Sequence, residues 1–522
     1  MTRTCVPIRH FRVGRLLSAV FACAAEAELE NIQVGGSIEV YGAYYSSFFA
    51  DANRLAWPEY FLSRRPIGGN GTATYVDNDG TGNNSGFVEQ RTKVNVLADF
   101  TSEVSAFVEF DSVWTWGEGF RSDYATGVDH RDRANDGDAE IYQAYLEARD
   151  VFGLPLDLRV GRQALEFGNE WLVGSNPDPD PFVQLSFDAL RLTVRRGALI
   201  LDLWAAQLAE SGAVEEDGDT WFYGVYGSYS FSPVLEGDLY YLFLRDATRR
   251  NDTQFISPLE RLEEWTGLDD YDPSTLYTVG ARAAGGWNGV DYYLEAAYQW
   301  GDADALGSTF RTYGVYGDDE ARYRHWAATF EAGYTFAARF LPRVFLAGAY
   351  FDASDERAVD VVEWANPFHR PDASVAFNRL FSTRRYTHFL DYSALSNFWF
   401  IRAGIEAQPT ERFSVSLDVM YHEAVEPFDL PRSFDVGPLR VPIAPALSFW
   451  TEEGRDELGV EIMLAPEYVY SDDLRFSMQF VYYFVGSAFQ DGVFFDENAT
   501  RFIGGTGDDD AASVTFIATF EF

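Results

Sequence analysis

The chain has 522 residues, 47% of them hydrophobic and 17% aromatic, with a formal net charge of −41 and a mean hydropathy of −0.19. A soluble chain of this length would normally divide into several domains, yet no linker, Pro/Ser-rich hinge or long stretch of helical periodicity interrupts it. After the first residues no apolar run is long enough for a membrane helix, so any membrane-spanning part must close its backbone hydrogen bonds strand to strand.

The amino terminus reads as a targeting segment. Arg3, Arg9, Arg12 and Arg15 form a basic region, Leu16 to Ala25 a short apolar core, and Ala25-Glu26-Ala27 a small-x-small cleavage site, the three parts of a secretory signal. Residues 1–27 are therefore expected to be signal peptide and 28–522 one β-barrel domain. Both cysteines, Cys5 and Cys23, fall in the signal, which suits export into an oxidising compartment. Phe21 makes the surroundings of Cys23 a poor lipoprotein acceptor site.

Alternation then predicts strands at 32–48, 87–100, 102–114, 139–149, 156–165, 185–196, 198–209, 220–231, 234–246 and 275–287, and again at 289–300, 322–336, 341–352, 396–407, 411–422, 456–466, 472–485 and 512–522. These are eighteen, an even number, and most have the length of a tilted membrane strand. Short turns such as Arg196-Gly197, Ser232-Pro233 and Trp287-Asn288-Gly289 alternate with nine longer loops, among them 166–184, 353–395, 423–455 and 486–511. The last strand, Ser513 to Phe522, places Val514, Phe516, Ala518, Phe520 and Phe522 on one face and ends on an aromatic residue. The expected fold is all-β: a transmembrane antiparallel β-barrel of about eighteen strands, with short periplasmic turns and long acidic extracellular loops.

A charge facing mid-membrane lipid costs ~2–4 kcal/mol, so the charged face of each strand must point into the lumen. That places Arg91, Lys93, Arg159, Arg191, Arg195, Arg282 and Arg402 inside, together with Glu109, Glu147, Asp202, Asp291, Glu295, Glu331, Glu406, Asp418 and Glu461. Most are expected to neutralise one another between neighbouring strands. An excess of arginine at the narrowest ring would favour anions, because charge rings set pore selectivity, and Arg91, Arg191, Arg282 and Arg402 are the expected contributors. By the same logic an arginine at Thr193 should be tolerated. The loops carry most of the negative charge, as in Glu215-Glu216-Asp217 and Asp508-Asp509-Asp510. Asp178 and Asp180 are candidates for a structural Ca²⁺, although solvated surface acid is the simpler reading. No catalytic set, phosphate loop or Cys/His metal spacing is expected; the pair Asp418 and His422 on one strand face reads as a structural ladder. No cofactor and no nucleic-acid partner is expected.

Three stretches carry a family resemblance. They are Val160 to Gly174 (VGRQALEFGNEWLVG) followed by Phe187 to Leu192 (FDALRL), Phe377 to Asp391 (FNRLFSTRRYTHFLD) followed by Asn397, and Glu457 to Glu461 (ELGVE) with Phe484-Val485-Gly486. Together they resemble the alginate-export family of outer-membrane proteins. The resemblance implies an eighteen-stranded barrel with an arginine-lined, anion-selective pore through which a polyuronate passes. Its motifs fall on Arg162, Gln163 and Gly168, on Asp188 and Arg191, and on Arg384, Arg385 and Asp391. Arg162 shares its strand parity with Leu158 and Val160, so either a bulge turns it inward or it sits in the loop mouth above the membrane. The long periplasmic turn associated with the alginate exporter has no counterpart among the short turns expected here. The expected function is passive conduction of an anionic polysaccharide or its oligomers, the alternative a general or cation-preferring porin. The expected partners are outer-membrane lipid, the barrel-assembly machinery, the saccharide itself and periplasmic proteins, in the outer membrane of a Gram-negative-type bacterium.

Overall fold

The computed structural model describes residues 29–46, 85–116, 139–175, 182, 184–210, 219–247, 274–302, 322–353, 376–389, 396–425, 434–436, 439–441, 450–451, 456–487, 492–495, 502–504 and 510–522. The expected signal peptide, Asp178, Asp180 and Asp391 lie outside the described residues.

Eighteen strands form one closed antiparallel sheet. In chain order they are β1 (Asn31–Ser46), β2 (Ser85–Asp99), β3 (Val104–Thr115), β4 (Glu140–Ala148), β5 (Leu156–Gln163), β6 (Phe187–Arg196), β7 (Leu199–Ala209), β8 (Thr220–Ser232) and β9 (Leu235–Asp246). The circuit continues with β10 (Ser274–Trp287), β11 (Val290–Asp302), β12 (Arg322–Thr335), β13 (Arg343–Phe351), β14 (Phe398–Thr410), β15 (Phe413–Ala424), β16 (Glu457–Val469), β17 (Leu474–Val485) and β18 (Ala511–Glu521). Each pairs with its neighbours in sequence. The circuit closes where β18 pairs with β1, Ser37 opposite Glu521 and Ser46 opposite Ala512. Phe522 completes the seam, exchanging two 3.0 Å backbone hydrogen bonds with Gly36. The sequence underestimates the loops: those expected at 423–455 and 486–511 hold short strands of their own, Phe434–Val436 paired with Leu439–Val441, and Trp450–Thr451 beside Gly492–Phe495 and Phe502–Gly504.

The turns are short at one end of the barrel. Between β10 and β11 Asn288 and Gly289 both have positive φ, 51° and 83°, the conformation that a two-residue hairpin needs to match strand twist and that Asn-Gly adopts most easily. All the long connections leave from the other end.

Alternation sorts the side chains as expected. Leu239 is 70% and Leu294 53% exposed on the outer surface, while Glu295, next along β11, is 3% exposed on the inner one. An apolar exterior around a charged interior is the reverse of a soluble protein and the signature of a membrane barrel. Leu294→Arg is expected to cut the folded fraction sharply, since the charge would face lipid at a cost of ~2–4 kcal/mol. Ser477→Arg, inward-facing and opposite the half-exposed Glu467, should stay near wild type. Heat-modifiable gel mobility reads both, and equal damage would reverse the assignment of faces.

The interior is divided. Near the turn end the inner wall is a ladder of arginines and carboxylates. Near the loop end it is aromatic, with Phe187, Phe222, Phe351, Phe398 and Tyr483 all buried.

Candidate pore constriction

The aromatic half of the wall is covered by two connections that turn inward. The first, residues 164–175, follows β5; the second, residues 376–389, precedes β14. Each carries several apolar side chains. Leu165, Phe167, Trp171, Leu172 and Val173 of the first, and Phe377, Leu380, Phe381 and Phe389 of the second, are buried in one cluster with the wall aromatics. Trp171 stacks on Phe377 (6.1 Å), Phe381 contacts Phe222 (4.9 Å) and Phe187 (5.1 Å), and Phe389 stacks on Tyr483 (5.4 Å).

Backbone hydrogen bonds join the two segments. Phe381 N–H donates to Leu172 O (2.9 Å), Gly174 N–H to Phe381 O (2.8 Å) and Thr383 N–H to Glu170 O (3.1 Å), and Arg384 Nε donates to Asn169 O (2.7 Å). The barrel holds the second segment at two points. Gln299 on β11 both donates to Asn378 O and accepts from its N–H, each at 2.7 Å. Glu461 on β16 accepts from the His388 N–H at 2.9 Å. The His388 ring stacks on Tyr45 (5.9 Å). Burial, with the nearby Arg385 charge adding to it, lowers the His388 pKa to about 4, so this imidazole is neutral at physiological pH. Arg379 is buried over Tyr386 (5.0 Å) and Phe351 (5.4 Å), whereas Arg384 and Arg385 are exposed.

In the ladder, the inward-facing cations expected from the sequence each meet a carboxylate. Arg91 Nε donates to Asp111 at 2.9 Å, and Lys93 lies 3.3 Å from Glu109; both also donate to Gln184 Oε1 at 2.7 Å. Arg159 Nε donates to Glu147 at 3.0 Å, Arg191 Nε to Asp202 at 2.8 Å, and Arg282 Nη1 to Glu236 at 2.7 Å and Asp238 at 2.6 Å. Arg195 pairs with Asp157, and Arg402 approaches Glu331 at 3.9 Å. Thr193 is buried and donates to Asp202, so an arginine there would crowd Arg191 for one carboxylate; the expectation of tolerance is corrected.

Sequence reasoning missed Arg343. From the first position of β13 it donates to Asp291 on β11 (3.0 Å), Glu331 on β12 (2.8 Å) and Glu406 on β14 (3.2 Å). It reaches β11 by lying across Gly333, where a Cβ would come within 2.4 Å of its Nε. Parity with Phe345 and Ala347 places it inward, but a charge beside a turn gives no sequence sign of entering the lumen.

The sequence profile of the alginate-export family matches residues 74–500. The chain belongs to the alginate-export family. Its fold is similar to that of Pseudomonas aeruginosa OccK8 (OprE), at 10% identity over 95% of this chain and 99% of that one, with a TM-score of 0.51. It is also similar to Acinetobacter baumannii OccAB1, at 12% identity over 94% and 96%, with a TM-score of 0.50. Identities this low speak for the porin-like barrel alone. No curated protein matches the sequence.

The alginate-export motifs lie in the inward segments and beside them. Gln163 is buried and donates to Ala189 O (2.9 Å), fixing the exit from β5. Gly168 has φ 58°, and a Cβ there would meet Tyr226 Oη at 2.4 Å. Arg191 faces the lumen, and Arg384 and Arg385 sit on the second segment. Arg162 is the exception and is corrected. The register of β5 with β6 runs unbroken from Leu156 to Gln163, so no bulge turns it inward. It keeps the outer face with Val160 and Leu190, near the loop end, where its Nε donates to Asp188 at 2.9 Å.

Proposed function

We propose that this member of the alginate-export family is a passive outer-membrane conduit for an anionic polysaccharide of the polyuronate type, or for its oligomers. The observation that carries this reading is the position of the family motifs. They build the constriction, and the second motif places Arg384 and Arg385, exposed, on it. The wall arginines contribute less net positive charge than the sequence implied, because Arg91, Arg191, Arg282 and Arg402 each have a carboxylate beside them. In this reading anion preference rests on the exposure of Arg384 and Arg385 to the path, at contact distance from a passing solute, where screening by salt is weak. Conduction rather than catalysis is supported by the alginate-export family match and the porin-like barrel. The reading places the chain in a Gram-negative-type outer membrane with the inward segments entering from the extracellular side, and it needs no cofactor. The clusters proposed for Ca²⁺ lie outside the described residues.

The paired wall favours one alternative, a general small-solute porin with a cation-preferring mouth. Reversal potentials in planar bilayers separate the two. The conduit reading expects an anion-preferring channel blocked by added polyuronate, and Arg384→Glu with Arg385→Glu should shift the reversal potential toward cations. A wild-type channel that is cation-selective and indifferent to polyuronate would establish the porin reading instead.

A further inference from the structure

We propose that the inner-wall recess of Trp204, Tyr226 and Arg191 is a subsite for one pyranose ring of an acidic saccharide, and that Phe167 fills it when the channel is closed. The proposal rests on the reading of the chain as a saccharide conduit and names where the wall holds its cargo.

Three observations meet at this place. The first is a flat aromatic platform. Trp204 lies against the wall over Gly224, where a Cβ would come within 1.9 Å of its ring, and Tyr240 lies in the same way over Gly280, at 2.2 Å. Tyr226 stacks on Tyr240 at 5.3 Å with an interplanar angle of 4°. Glycine at these two inward positions lets the rings lie along the sheet and present a face to the lumen.

The second is the occupant. Phe167, from the first inward segment, stacks on Trp204 at 4.5 Å and 15° and on Tyr226 at 5.1 Å and 22°. The Arg191 guanidinium lies 4.9 Å from the centre of the same ring. A six-membered ring is thus already held against aromatic faces beside a cation. The apolar C–H face of a pyranose has the size and flatness of that ring, and a uronate adds a carboxylate for Arg191.

The third is a set of polar atoms that a phenyl ring cannot serve. Trp204 Nε1, Asp238 Oδ1 and Arg282 Nε are buried and have no hydrogen-bond partner among the described residues. Asp238 receives both Tyr226 and Arg282 through its other oxygen. The backbone passes close by, since a Cβ on Gly168 would lie 3.2 Å from Arg282 Cδ. Buried donors and acceptors are normally paired, and two donors and an acceptor on the residues that make up this stretch of wall match the hydroxyls of a sugar. A concave site with an apolar floor and a few convergent polar groups is the usual form of a small-ligand site.

The test is half-maximal block of single-channel current by a short oligouronate, with a neutral oligoglucoside as second probe. It compares wild type, Phe167→Ala, and Phe167→Ala combined with Trp204→Phe; heat-modifiable mobility verifies that each barrel is folded. Removing the internal competitor should lower the blocking concentration of the oligouronate by about three- to tenfold, the scale of one aromatic stacking contact. Trp204→Phe, which keeps a ring but removes Nε1, should raise it again. Equal block of all three proteins by oligouronate overturns the subsite and leaves the conduit reading intact. Block by the neutral probe alone, tightened by Phe167→Ala, overturns the acidic assignment. Absence of block by either probe in every variant overturns both readings.

Discussion

Replacing Phe377, Phe381 and Phe389 together by serine is expected to raise single-channel conductance several-fold while leaving the barrel folded. Each of these rings is buried against the wall, and truncating a buried Phe typically costs ~3–5 kcal/mol. The losses are not additive, because the three rings are packed in one cluster. Even a fraction of the sum exceeds what the joining hydrogen bonds, worth ~0.5–1.5 kcal/mol each, can retain. The strand ladder does not depend on these residues, so heat-modifiable mobility should be unchanged. Unaltered conductance would mean that the segment does not obstruct the path. Acid offers a second route to the same opening. His388 is docked as a neutral ring with its pKa lowered to about 4, against an ordinary value of about 6.5. Docking is therefore at full strength above pH 6.5 and weakens as pH falls toward 4, because the released ring takes up a proton more readily than the docked one. Wild-type conductance should rise across that window, and His388→Phe should flatten the rise.

Deleting residues 511–522 is expected to abolish the folded barrel. β18 is hydrogen-bonded to β1 from Ser37 to Ser46 and to β17 from Leu474 to Tyr483. Without it both neighbours would present an open edge to lipid, where each unsatisfied backbone group costs several kcal/mol and water cannot compensate. The truncated chain should show no heat-modifiable species and full protease sensitivity. A protease-resistant remnant would show that β1 and β17 can close without their partner.

The fold was legible because membrane strands obey a period of two with a severe penalty for error. Arg191 between Leu190 and Leu192, and Glu295 between Leu294 and Ala296, each permit one orientation. The inward segments were less legible. Residues 166–175 and 376–389 carry no periodicity, and the sequence placed them in loops; the signal was composition, with Trp171, Leu172 and Val173 adjacent in a connection supposed to be aqueous. Arg162 misled in the opposite direction. Its motif suggested the pore, whereas parity placed it outside, and parity was the stronger physical argument. Pairings between strands two apart, such as Arg343 with Asp291 across Gly333, need the height of the intervening side chain, which alternation does not report.

The pairing of cations with carboxylates along the turn-side wall bears on friction. An isolated arginine in a narrow passage would hold a passing carboxylate in a deep well, and the polyuronate proposed above, bearing one on every residue, would stall. Where Arg159, Arg191, Arg282 and Arg343 are already bonded to wall carboxylates, an arriving anion must compete for each guanidinium, so every well is shallow. Conduction requires sites favourable enough to enter and weak enough to leave, and a wall of tethered ion pairs meets that requirement with a smooth succession of small steps.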